Sequence, residues 1–228
     1  NAVTGYTRFD WNTWGYGITD DGWVGGGGGG LNLSPFIWNY RTGEATFLDL
    51  PPGTNGGTVF DITENGYATG LGTVWTNRSP RTLEAGGLTA RGNSVNQAGT
   101  VVGYCWNTFE RRATIWNSDG SVRLQFDNIQ SSFASINDSG VVGGGGPEAF
   151  LYHDDWGLVS LSGLIEGATP EGGLAIRKVN NSNQLLVRAS LPGPNKWYLF
   201  EPVPEPATLA ALGLGALALL RRRRNRTP

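Results

Sequence analysis

His153-Asp154-Asp155 sets the single histidine of the chain beside two carboxylates. Such a trio could polarise a water molecule or hold a cation. A histidine-rich transition-metal site needs more imidazoles, and a triad needs a nucleophile and an orienting partner. Following the apolar stretch Phe150-Leu151-Tyr152, the trio reads as a solvated turn. Asp20-Asp21 and Asn137-Asp138 offer oxygens of the kind calcium takes, but without the spacing of a calcium loop, so they read as turn supports. Gly25 to Gly30 meets a glycine-rich phosphate pattern in composition alone, since Leu31-Asn32-Leu33-Ser34-Pro35 follows it without a helix signal. That run is expected to be a flexible strand connection, and Gly143 to Gly146, at the corresponding place further on, makes it architectural. Neither a metal nor a cofactor is expected.

The aromatic residues offer a different chemistry, because exposed rings hold sugars by stacking. Among nine tryptophans, Trp38, Trp75 and Trp116 sit in apolar strand stretches and are expected in the core. Trp11, Trp14, Trp106 and Trp156 fall in loops or strand ends and are the candidates for a ligand platform. An alternative from another class is a polymer-degrading hydrolase using Asp154 or Asp155, which would need paired carboxylates about 5–9.5 Å apart in a cleft.

The elements that would position these residues come from an internal repeat. Ser135 to Gly143 reads SINDSGVVG; Ser94 to Gly103, Asp61 to Gly70, Gly17 to Gly25 and, more weakly, Lys178 to Val187 repeat it. The turn position falls at Gly22, Gly66, Gly99, Gly140 and Asn183, a period of about forty residues. Each unit predicts a hairpin: an apolar strand, an Asn or Thr whose side chain bonds its own backbone, a position needing positive φ, and a second apolar strand. A third strand ending in an aromatic residue follows at Phe36-Ile37-Trp38, Thr73-Val74-Trp75, Thr114-Ile115-Trp116, Phe150-Leu151-Tyr152 and Tyr198-Leu199-Phe200. A fourth is expected around Phe47 to Leu50, Thr82-Leu83, Val122 to Leu124 and Val159 to Leu161.

Thirty-six glycines and few charges fit many short strands. The expected fold is therefore all-β, a β-propeller-like array of about five four-stranded repeats over residues 1–202, followed by one C-terminal hydrophobic helix. The fifth repeat lacks a fourth strand of its own, and Ala2 to Phe9 is expected to complete it and close the ring. Cys105 stands alone, so the fold rests on packing without an intramolecular disulfide. The units resemble the HAF-type extracellular repeats of bacteria, through Ile136 to Gly143 and Ala149 to Tyr152. That resemblance implies a propeller-like fold and no particular activity.

Residues 203–228 form the second region. Val203-Pro204-Glu205-Pro206 stops the preceding fold. Ala207 to Leu220 is apolar all round, with Leu209, Leu212, Leu214, Leu217, Leu219 and Leu220 as its bulk. As a helix it reaches roughly 20 Å, short of the ~30 Å hydrocarbon core. Arg221, Arg222, Arg223 and Arg224 then hold the end on the cytoplasmic side and leave residues 1–202 on the other. This tripartite tail resembles the PEP-CTERM sorting signal of Gram-negative surface proteins. The resemblance implies export, transient retention in the inner membrane, recognition of Pro204-Glu205-Pro206 by an exosortase, and delivery to the surface or extracellular matrix.

Of 17 basic and 19 acidic residues, the tail holds five arginines and Glu205, leaving 12 against 18, about −6, on residues 1–202. A mildly acidic body argues against nucleic acid and leaves exopolysaccharide or surface proteins as partners. The chain opens NAVTGYTRF without an export signal, so it is expected to begin after processing or to lack an upstream part.

Overall fold

The computed structural model describes residues 13–28, 33–126, 130–146, 148–161, 174–189 and 196–202. All secondary structure among them is strand, in five antiparallel meanders. The first holds β1 (Thr13–Ile18), β2 (Trp23–Gly28), β3 (Ser34–Asn39) and β4 (Ala45–Phe47). The second holds β5 (Val59–Ile62), β6 (Tyr67–Gly70), β7 (Thr73–Thr76) and β8 (Ser79–Thr82). The third holds β9 (Thr89–Val95), β10 (Val101–Trp106), β11 (Arg111–Trp116) and β12 (Val122–Gln125). The fourth holds β13 (Ser132–Ile136), β14 (Val142–Gly145), β15 (Ala149–His153) and β16 (Gly157–Ser160). The fifth has β17 (Leu174–Val179), β18 (Leu185–Ala189) and β19 (Lys196–Phe200), and joins the fourth through a single Gly145–Ala175 pairing.

The repeat read from the sequence is a repeat of register. Val24, Ala68, Val101, Val142 and Leu185 pair with Trp38, Trp75, Trp116, Tyr152 and Phe200, in that order. The turn residues Gly22, Gly66, Gly99, Gly140 and Asn183 all have positive φ, from 58° at Asn183 to 98° at Gly22. Glycine adopts that region freely and asparagine tolerates it, which explains the exchange in the fifth copy.

A β-bulge falls in the first hairpin of every repeat, at Tyr16, Phe60, Asn93, Ala134 and Arg177, each six residues before the turn residue. An extra residue bends the strand it sits in and strengthens local twist. Here it brings a main-chain oxygen against the second strand. A Cβ on Gly26, Gly70, Gly103 or Gly144 would stand 2.2, 1.7, 1.9 or 2.6 Å from the carbonyl oxygen of Trp14, Thr58, Arg91 or Ser132. In these four repeats the glycine four residues after the turn residue thus leaves the room that the bulge takes, whereas the fifth has Val187 there.

Consecutive sheets stack in series, the first strand of each packing on the first two strands of the one before. Four small cores result, one per seam, such as Val74, Leu83, Val95, Val101 and Trp116 between the second and third repeats. This is the quasi-one-dimensional build of repeat proteins, in which each unit buries its apolar face only against neighbours. No hydrogen-bonded strand pairing joins the fifth repeat to the first among the described residues. Ring closure through Ala2 to Phe9, and the C-terminal helix, lie outside them.

Two expectations need correction. Gly25 to Gly28 belong to β2 and are buried, instead of forming a flexible connection; Gly29 and Gly30 lie outside the described residues. The reason is close approach: a Cβ on Gly25 would lie 2.4 Å from Val59 Cγ1, and one on Gly27 2.6 Å from Thr58 Oγ1. Three of the fourth strands also end earlier than expected, whereas β12 covers Val122 to Leu124 and runs on to Gln125. Leu48, Leu83 and Leu161 follow those three, buried, with their amides on the carbonyls of Pro35, Gly72 and Ala149.

Candidate functional site

Three places can be tested as sites: the hairpin turns, the His153 trio and the cleft between the first two repeats. In every turn the residue three before the turn position accepts the N–H of the residue just after it. Thr19 Oγ1, Thr63 Oγ1, Asn96 Oδ1, Asn137 Oδ1 and Asn180 Oδ1 do so at 2.9–3.2 Å. The asparagines have a second arm. Asn96 Nδ2 donates to Asn137 O at 3.2 Å, and Asn137 Nδ2 to Asn180 O at 2.9 Å. Threonine has no such amide, so Thr19 and Thr63 hold only their own turns.

A second rung runs through the neighbouring residue. Asp20 N–H donates to Glu64, Gln97 N–H to Asp138, and Asp138 N–H to Asn181, each crossing to the next repeat. A third, deeper rung has Val95, Ile136 and Val179 amides on Asp61, Ser94 and Ser135 side chains. Asp20, Asn137 and Asp138, read as turn supports, are also couplings between repeats. The side-chain oxygens of Asn137 and Asp138 are engaged with N–H donors, whereas Asp20 takes part through its main-chain N–H and carbonyl.

The His153 trio is held in place by its surroundings. His153 Nδ1 accepts Asp155 N–H at 3.1 Å, which puts its proton on Nε2, 3.0 Å from Ser139 O; the ring stacks on Trp156 with centroids 5.5 Å apart. Asp154 is bonded by Arg123 and by the Tyr152 hydroxyl. Burial, reinforced by Asp154, pushes the Tyr152 phenol above its ordinary value. Arg177 is pushed the other way, by burial and then by Arg188.

The tryptophans divide. Trp75 and Trp116 are sealed in the core, their indole N–H groups on the carbonyls of Asp49 and Glu84 in the preceding repeat, 2.7 Å in both cases. Trp38, in the first repeat, is only half-buried. Trp14 and Trp156 are exposed, and half-buried Trp106 leans on Tyr104 with centroids 5.2 Å apart. Trp14 and Trp106 lie at the ends of their strands away from the repeated hairpin turns, whereas Trp156 lies on the turn side. These three therefore do not meet in one platform; Trp11 lies outside the described residues.

The structure instead opens a cavity of about 230 Å³ between the first and second repeats. Trp23, Ile37, Leu48 and Ala68 form its floor, and Glu64 and Arg78 stand at its rim. Arg78 occupies a two-residue hairpin with Asn77, both at positive φ (70° and 49°). Glycine or asparagine normally fills such places, so arginine there carries backbone strain. Its guanidinium lies 5.5 Å from the Trp23 ring centroid and 2.9 Å from Glu44. Ala68 lines the cavity at the position where the other repeats have the larger Val24, Val101, Val142 and Leu185. Ala68→Val should raise stability by about 1 kcal/mol, read as a higher urea midpoint at unchanged m-value. An unchanged or lower midpoint would show that the space is not simply a missing side chain. The missed signal was this small residue, together with a loop lacking glycine.

Beyond Phe200 the chain leaves the sheets at Pro202. Residues 202–224 match the family model of the PEP-CTERM protein-sorting motif. The tail is a PEP-CTERM sorting motif. The match contains Val203 to Pro206, the six leucines and Arg221 to Arg224. The PEP-CTERM motif implies exosortase processing, export, and a membrane-associated C-terminal signal before cleavage. No curated protein matches the chain. Among the described residues no helix is long and apolar enough to cross a membrane.

Proposed function

We propose that residues 1–202 are a noncatalytic scaffold of the cell surface or extracellular matrix, released from its anchor when an exosortase cuts at Pro204-Glu205-Pro206, and that it holds polysaccharide or protein partners. The observation that carries this reading is the PEP-CTERM motif at residues 202–224. The couplings between repeats support the scaffold: the stacked sheets and turn rungs make a stiff body, and the Asp and Asn side chains of the turns serve its stiffness. On this reading the sheets are HAF-type repeats of propeller-like form.

The cleft of Trp23, Ala68 and Arg78 is the seat of the partner. At about 230 Å³ it is smaller than the ~300–1,000 Å³ of pockets that enclose whole small molecules. It suits one protruding group of a polymer, with apolar contact below and Glu64 and Arg78 at the rim. Neither the inner membrane after cleavage nor nucleic acid is a partner on this account.

Intact mass of the protein recovered from its native host, beside cells lacking the exosortase, tests the sorting step. The expected result is loss of the mass beyond the Pro204-Glu205-Pro206 region in normal cells only. A full-length, membrane-retained product in both would overturn it.

A further inference from the structure

Each internal seam is built from two kinds of surface. The leading face carries the residue three after the turn position and its partner on the third strand: Gly25 with Ile37, Thr69 with Val74, Val102 with Ile115, Gly143 with Leu151. The trailing face of the next repeat carries the residues seven and four before its turn position: Val59 and Ile62, Gly92 and Val95, Phe133 and Ile136, Ile176 and Val179. Small meets large at three of the four seams, whereas at the third Val102 and Ile115 pack on Phe133 and Ile136. A Cβ on Gly25 would strike Val59, one on Gly143 would strike Ile176 and Val179, and one on Gly92 would strike Thr69.

Among the described residues the array leaves one face of each kind bare. On the fifth repeat the leading face is Leu186 and Leu199, 38% and 62% exposed, with Trp197 at 56% beside them. Their counterparts Val102, Ile115 and Ala113 in the third repeat are sealed at 0–2%. On the first repeat the trailing face is Gly15 and Ile18, the latter 67% exposed where Val95, Ile136 and Val179 are buried. Val24 and Trp38, half-buried beside it, are the counterparts of sealed Val101 and Trp116. The size rule holds between the bare faces too: bulky Leu186 would lie against Gly15, as Thr69 lies against Gly92. The turn rung also continues, since Asn181 would offer its amide to the Asp20 carboxylate as Asp138 offers its own to Asn181.

We infer that these two faces are halves of one interface and that the fifth repeat of one molecule docks on the first repeat of a second copy, head to tail. Such a contact uses different patches on the two partners, so it propagates into a filament unless the rotation closes a ring. The inference concerns assembly of residues 1–202 and stands apart from what the cleft binds.

The test uses the full chain in nonionic detergent with Ile18→Cys and Leu199→Cys, both exposed positions, and a short bismaleimide; native Cys105 is buried and stays unlabelled. The expected result is a ladder of dimers, trimers and longer species from the double variant, dimers only from an equimolar mixture of the two single variants, and none from either alone. Adding Trp197→Asp, which needs no change in the fold, should erase the ladder. A double variant that cross-links only within one chain would overturn the inference in favour of ring closure. Equal dimer from one single variant alone would overturn it in favour of a symmetric contact, and absence of cross-linking in the mixture would overturn it outright.

Discussion

Gly103→Val should destabilise the protein by about 3 kcal/mol or more, and lower the melting temperature by roughly 6–12 °C. The expectation follows from position. A Cβ there would stand 1.9 Å from the Arg91 carbonyl oxygen and 3.0 Å from its carbon. Neither atom belongs to a flexible side chain, so relief requires the bulge at Asn93 to shift and with it the pairing of β9 and β10. Gly72→Ala is the comparison. Its φ is 67° and nothing lies within 4 Å of an added Cβ, so it should cost only about 1 kcal/mol of left-handed strain. Thermal melts of the two variants decide the matter. Equal losses would show that collision with the bulge is not what makes the glycine necessary.

Asn137 provides the second large effect, and its two functions can be separated. Its side chain is 3% exposed; Oδ1 accepts Val141 N–H at 2.9 Å, and Nδ2 donates to Asn180 O and to Asn183 Oδ1 at 2.9 and 2.7 Å. Asn137→Ala removes everything and leaves buried main-chain groups unpaired, an expected loss of about 3 kcal/mol. Asn137→Thr keeps an acceptor for the turn, as Thr19 and Thr63 have at the same position, and loses the arm into the fifth repeat. It should cost about 1–1.5 kcal/mol. Urea unfolding of the pair measures both. If threonine proved as damaging as alanine, the coupling between repeats would dominate and support of the turn would count for little.

Much of this architecture could be read from residue types because the determinants are local. A side-chain oxygen followed three residues later by glycine or asparagine predicts a hairpin by itself, and all five copies form one. The third strands aligned without gaps, and their pairing with the second strands follows the same register throughout. What escaped was set by neighbours. Gly25 to Gly28 have no side chain to show periodicity, and their burial is supplied by Val59 and Thr58 of the next repeat. The bulges leave no mark because the extra residue differs in every copy: Tyr16, Phe60, Asn93, Ala134 and Arg177.

The candidate site was less legible than the fold. A cavity lined by Ala68 where other repeats have valine or leucine is visible only by comparing equivalent positions once register is known. Exposure chose Trp14 and Trp156 among the platform candidates, but strand polarity placed them at opposite ends of the sheets. Trp23, on a partly buried strand, carried no such signal, although Arg78 now lies over its ring. The tail needed no folded context, since its order of proline, apolar run and arginine is a linear message.

The rungs across the turns point one way: a main-chain donor in the earlier repeat finds its acceptor on a side chain of the later one. Polypeptides are threaded across membranes as a line, and a donor that emerges first has nothing to hold until its successor arrives. Every repeat is therefore provisional when it appears and is locked by the one behind it. Asn181 completes the last of these locks, and the sorting motif comes after it. The order of residues thus doubles as an order of contacts, with the sorting motif at the end of the queue.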